Sequence, residues 1–180
     1  MSTASNAAFS KLLEYDKRST TFSPVSQGGG AESQEWSGVT FGLAGERLTC
    51  NISNITEIIP CPPVTSVPGA KDWIIGLANV RGELLTVIDL NRFLTGDRTV
   101  ADLRTRLLTT TLNKAPIGLL ISEVYGQRHF LDGDSRESAL PEDSALRSIV
   151  SRQHDVGSET WQELDLDALF NSAEFLNGAA

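Results

Sequence analysis

The chain has 180 residues, 23 of them acidic and 15 basic, for a net charge of -8 at neutral pH. That length supports one domain with a real core or two small intertwined lobes, and the charge creates a field that repels nucleic acid and anionic lipid. Two cysteines, Cys50 and Cys61, and two histidines, His129 and His154, lack the spacing of a zinc site, so no metal or other cofactor is expected.

Residues 1–11 carry no basic start followed by an apolar stretch, and apolar runs such as Leu119 to Ile121 are too short to span a bilayer. A cytoplasmic protein without direct membrane insertion is expected, which makes the glycosylation sequons at Asn51 and Asn54 chance matches. Phe9, Leu12 and Leu13 have helical spacing, enough for a short arm that is marginal unless docked. From Ser19 to Glu35 the composition turns to Ser, Thr, Gln and Gly, with Gly28, Gly29 and Gly30 consecutive, the pattern of a flexible linker. The division expected is therefore an arm and linker over residues 1–35 and a folded domain over 36–180.

Ser37 to Leu43 and Leu48 to Ser53 alternate around Ala44-Gly45-Glu46, which predicts a hairpin. Ile55, Ile58 and Ile59 fit either a strand or one helical turn before Pro60, Pro62 and Pro63 stop any regular ladder. Gly76 to Leu90 is the organising stretch: an apolar approach, a polar turn from Asn79 to Gly82, and an apolar exit through Leu84, Leu85, Val87 and Ile88 that reads as buried on both faces. One cation, Arg81, sits in that turn, and an internal pair with Glu83 or Asp89 is its structural alternative. Asn91 to Leu94 predicts one helical turn stopped by Gly96.

Arg104 to Leu112, the turn Asn113-Lys114 and the alternation of Ile117, Leu119 and Ile121 predict another hairpin. Val124 to Leu131, kinked at Tyr125-Gly126, reads as a further strand of the same sheet. Pro141 with Leu146, Ile149 and Val150 predicts a short helix, Thr160 to Leu164 a last strand, and Asp165 the cap of a terminal helix that buries Leu166, Leu169 and Phe170. Two hairpin-rich halves point to a mainly β fold of two small barrels or sandwiches side by side.

The string Gly76-Leu-Ala-Asn-Val-Arg81-Gly82, with its apolar strand and Ile88-Asp89-Leu90, resembles the signature of the CheW family of chemosensory adaptors. Gly38 to Arg47, Glu57-Ile58-Ile59-Pro60, Val67-Pro68-Gly69 and Gly118 to Gly126 resemble its other blocks, and Tyr125 to Phe130 with the Leu12 to Arg18 arm is similar to the PilI branch, which serves twitching motility and type IV pili. The resemblance implies two intertwined SH3-like five-stranded β-barrel lobes with short helices and strands exchanged between them. It implies a non-catalytic adaptor that couples a chemoreceptor's cytoplasmic tip to the regulatory domain of a CheA-type histidine kinase, recruited to membrane-associated receptor arrays. By motif match it assigns the receptor-facing surface to Arg81, Asn79, Val80, Glu57 and Ile55, with no catalytic residue.

A flagellar chemotaxis adaptor is the alternative within the family, and an enzyme is the alternative outside it. Against an enzyme, the chain has no Gly-rich phosphate loop, zinc spacing or nucleophile elbow. Asp132 and Asp134 flank a glycine, where carboxylates serve turn geometry, and His129 on its own reads as structural.

Overall fold

Period-two alternation of apolar residues dominates the chain, and the computed structural model, which describes residues 35–177, is accordingly built of strands. The expected arm and nearly all of the linker lie outside the described residues. The strands are β1 (Glu35–Leu43), β2 (Glu46–Asn51), β3 (Glu57–Pro60), β4 (Val64–Thr65), β5 (Ile74–Val80), β6 (Glu83–Asp89), β7 (Arg106–Leu112), β8 (Ala115–Ile121), β9 (Glu123–Leu131), β10 (Ser135–Glu137), β11 (Val150–Val156) and β12 (Glu159–Leu164). Three short helices accompany them, α1 (Leu90–Thr95) between β6 and β7, and α2 (Leu166–Asn171) and α3 (Ala173–Leu176) after β12.

The strands form two six-stranded sheets, each with one very short edge strand: β10-β11-β12-β2-β1-β9 and β3-β7-β8-β6-β5-β4. The lobes are therefore not successive halves of the sequence. The chain leaves the first sheet after β2, builds the whole second sheet from β3 to β8, and returns with β9 to pair antiparallel with β1. We call these the terminal and the central lobe. The strand read as an extension of the β7–β8 hairpin is thus the crossover between lobes. At its kink Thr40 pairs with Gly126 and Phe41 with Val124, which leaves Tyr125 bulged out.

Both sheets curl around interiors of their own. In the central lobe Ile59 of β3 and Val64 of β4, on opposite edges, pack on one cluster of Ala78, Leu85, Val87, Leu107 and Leu120. In the terminal lobe the edge strand β9 meets β11, with Phe130 5.1 Å from the His154 ring. A larger core lies between the lobes, where Phe41, Leu48 and Cys50 of one sheet meet Ile88, Leu108 and Leu119 of the other. Leu107 faces the central interior and Leu108 the shared core, so successive residues serve different layers.

Three hairpin turns, Ala44-Gly45, Arg81-Gly82 and Asn113-Lys114, have positive φ at both central residues. This twist matches that of the strands they join. At Gly76 (φ +149°) a Cβ would lie 2.1 Å from the Thr65 carbonyl oxygen, so only glycine lets β4 approach β5. Asp89 caps α1 by accepting from the Arg92 N–H, and takes both the N–H and the hydroxyl of Thr99. It is committed to the α1 cap and its following loop rather than to Arg81. Asp165 caps α2 through the Ala168 N–H, and Leu166, Leu169 and Phe170 are buried as the pattern required.

Three local expectations are corrected. Residues after Pro141 form successive turns closed by i to i+3 bonds, Ser144 to Pro141, Arg147 to Ser144 and Ile149 to Leu146, not a helix. Their apolar residues still face the shared core, and Val150 opens the unforeseen strand β11. The strand expected through Ser53 stops at Asn51, whose side chain accepts from the Ser53 N–H and starts a 3-10 turn over Ile52–Asn54. Leu84, read as buried, is 64% exposed because β6 is covered on its Leu85 and Val87 face at that end.

Candidate interaction surface

The backbone of the β5–β6 turn is held from within: the Asn79 side-chain oxygen accepts the Gly82 N–H at 2.9 Å. Arg81, at φ +53°, occupies a position where a side chain costs about 1 kcal/mol relative to glycine. Ala44 and Lys114 tolerate the same backbone, so strain alone does not single out Arg81. Its side chain does: it is 77% exposed, with Nη2 2.5 Å from Glu57 Oε1 on β3. The partner is thus neither Glu83 nor Asp89.

The structure brings Arg81, Glu57 and Asn79 together, although Glu57 lies 24 residues away in sequence. Val80 and Ile55 behave differently. Val80 is half-buried against the central interior and Ile55 is half-buried against the shared core. The sequence pattern did not show that Thr109 and Thr110 hold β3 and the turn before it in place. Their hydroxyls donate to the carbonyls of Glu57 (3.0 Å) and Asn54 (2.7 Å). The run of three threonines on β7 was the signal available for this. A groove of about 200 Å³ runs beside Arg81 and Glu57 toward Thr111. A larger apolar groove of about 630 Å³, lined by Trp73, Leu77, Ile117 and Phe175, contains none of the five assigned residues.

In the terminal lobe Glu159 binds both Arg47 and Arg128, the latter at 2.6 Å, and the Arg128 guanidinium lies 4.9 Å from the centre of the Trp161 ring. His154 is buried, its Nε2 2.8 Å from Glu163. Its Nδ1 has no hydrogen-bond partner. Exposed His129 lies 3.2 Å from Glu35. Neither cysteine is poised as a nucleophile: burial pushes the Cys50 thiol up to about 12, and desolvation also raises that of Cys61. Among the described residues no cluster of three or more His, Cys, Asp or Glu could hold a metal ion, and no helix is long and apolar enough to cross a membrane.

This two-lobed architecture and the turn it displays define the class. The model of the CheW-like domain family matches residues 37–174, and the chain belongs to that family. Among its relatives, Protein PilI of Pseudomonas aeruginosa is 30% identical over 142 residues, covering 79% of this chain and 80% of PilI. Protein FrzA of Myxococcus xanthus is 28% identical over 110 residues, 61% of this chain and 69% of FrzA. The crystal structure of the scaffolding protein TtCheW from Thermoanaerobacter tengcongensis matches with a TM-score of 0.68 at 18% identity, covering 78% of this chain and 96% of TtCheW. At that identity the likeness speaks to the fold.

Proposed function

We propose that this chain is a non-catalytic adaptor that couples a chemoreceptor's cytoplasmic tip to a CheA-type histidine kinase, in a chemosensory system controlling type IV pili and twitching. In this reading Arg81, Glu57 and Asn79 contact the receptor, and Val80 and Ile55 support them while contributing their half-exposed edges. The observation that carries it is Arg81 itself: a guanidinium held by a rigid turn and one carboxylate, yet 77% exposed. Such a group is pre-ordered for contact, and arginine is among the residue types most enriched at interface hot spots. The pilus assignment draws on PilI, matched over 79% of the chain.

A receptor conformation would bias the kinase through differences in these contacts, since a ligand shifts an equilibrium only by its differential affinity for the two states. The protein acts in the cytoplasm at receptor arrays, with residues 1–35 as a docking arm and 36–180 as the folded domain. A pull-down of the tagged protein from its own host tests the reading. Recovery of a chemoreceptor together with a histidine kinase and pilus-system components is expected. Recovery of flagellar components instead moves the protein to the flagellar alternative, and recovery of neither receptor nor kinase contradicts the adaptor role.

A further inference from the structure

The apolar groove of about 630 Å³ has no part in the adaptor reading. Its volume falls within the roughly 300 to 1,000 Å³ of small-molecule sites. Strands β5, β6 and β8, the β7–β8 turn, the loop at Val67 to Ala70 and α3 meet around it. Of the residues that line it only Trp73, Thr86 and Asn113 carry polar side-chain atoms, and none is charged. Trp73 is 6% exposed, stacked on Phe175 at 5.5 Å and edge-on to Phe93 at 5.1 Å. Its indole N–H donates to no acceptor among the described residues and, unlike that of Trp161, is not closed off from solvent. Thr86 is half-buried and Asn113 exposed, and neither side chain makes a hydrogen bond among the described residues.

Two lysines adjoin the groove along the chain: Lys71 follows Ala70, and Lys114 stands between Asn113 and Ala115. Both are exposed, and among the described residues neither is in an ion pair. Of the acidic residues next to lining ones, Asp72 is held by Arg92 and Asp89 caps α1, which leaves Glu174 against the two lysines. We propose that this groove is a binding site for a small hydrophobic carboxylate. Its apolar body lies against Trp73, Phe175, Leu77 and Ile117, and its carboxylate accepts the Trp73 indole N–H on the lysine side. A purely apolar occupant would cover that N–H and leave it without a partner, which is unfavourable. A cationic one would bring no acceptor to the indole and like charge to the lysines.

The test titrates the full chain with 2-naphthoate, with its uncharged carboxamide and with the cation 2-naphthylmethylamine, by calorimetry, and records melting with and without each. Saturable binding of the naphthoate with a rise in melting temperature is expected, with the carboxamide about fivefold weaker and the amine not bound. Trp73→Phe keeps the ring and removes the donor, and should weaken naphthoate binding about fivefold. Lys71→Gln with Lys114→Gln should erase the preference for naphthoate over carboxamide. Ala115→Phe, at an exposed position, should fill the groove and abolish binding at parent-like melting. Absence of saturable naphthoate binding overturns the proposal, as does parent-like binding by Ala115→Phe, which would put the ligand elsewhere. Equal binding of carboxamide and naphthoate overturns the carboxylate assignment, and parent-like binding by Trp73→Phe overturns the role of the indole. Should Trp73→Phe lower melting, the lysine pair and Ala115→Phe, all outside the core, carry the test. No receptor or kinase enters it, so its failure leaves the adaptor reading intact.

Discussion

The two lobes close around interiors of opposite chemistry. The central lobe is filled largely by aliphatic side chains, Leu85, Val87, Leu107 and Leu120, with the buried Thr109 on the same face of β7 as Leu107. The terminal lobe is filled by Trp36, Phe130, His154 and Trp161, with Trp36 stacked on Phe130 at 4.8 Å and edge-on to His154 at 5.3 Å. Three buried polar atoms in that lobe, Thr49 Oγ1, His154 Nδ1 and Trp161 Nε1, have no partner. An aliphatic interior needs only the right volume, while rings and polar groups also require orientation. The difference follows the path of the chain. The central lobe is one contiguous segment, whereas the terminal lobe joins β1 and β2 to strands that return some 70 to 110 residues later, so its pairings are long-range and gain from directional contacts that reject a shifted register.

The largest way to break the comparison is Trp161→Ala. Trp161 is 1% exposed, packs edge-on to Tyr125 at 5.6 Å and lies beneath Arg128. Its loss should lower unfolding free energy by about 4 kcal/mol, read from urea denaturation. A loss below about 1 kcal/mol would show that the terminal interior does not hold its lobe together. Next is Leu107→Ala in the central interior, fully buried, with an expected loss of about 3 kcal/mol. The core shared between the lobes should keep both variants in one cooperative transition, with tryptophan fluorescence and far-ultraviolet dichroism coinciding. Separate transitions would mean that the lobes unfold independently.

A smaller, pH-dependent effect belongs to the shared core. Burial holds the Cys50 thiol up to about 12 against an ordinary value of 9.0. The folded state retains that proton while the unfolded chain releases it, so the contribution is intact below about pH 9 and is lost as pH rises toward 12, at about 1 kcal/mol per unit. Cys50→Val should flatten the decline in melting temperature between pH 8 and 10.5. An unchanged slope would assign the decline to other groups.

Much of this architecture was legible in the sequence where the signal is local. The hairpin turns at Ala44-Gly45, Arg81-Gly82 and Asn113-Lys114, the Asp165 cap and the Gly96 stop all depend on residues within a few positions of one another, whereas the Asp89 cap was not foreseen. Strand partners were not legible, because Val124 to Leu131 has the same alternation whether it pairs with β8 or with β1. Leu146, Ile149 and Val150 show why apolar spacing is not enough for a helix: they reach the shared core from turns, and the backbone between them never closes an i to i+4 bond. In the candidate surface, the family motif led to Arg81 and Glu57, but the ion pair joining them exists only because the central sheet curls until β3 reaches the β5–β6 turn.

Arg81 should give the smallest stability effect of all, because an ion pair with one member 77% exposed contributes at most about 1 kcal/mol. That makes Arg81→Glu the most direct test of the adaptor account. Thermal unfolding and binding of a receptor-tip fragment are measured on the same preparation, beside Arg81→Ala. The account predicts near-parent melting with binding weakened more than about 30-fold, and a greater loss for glutamate than for alanine because it places like charge against an acidic partner surface. Parent-like binding at unchanged melting would contradict it, and a fall in melting that accounts for the loss of binding would make Arg81 a strut of the central lobe instead of its contact with the receptor.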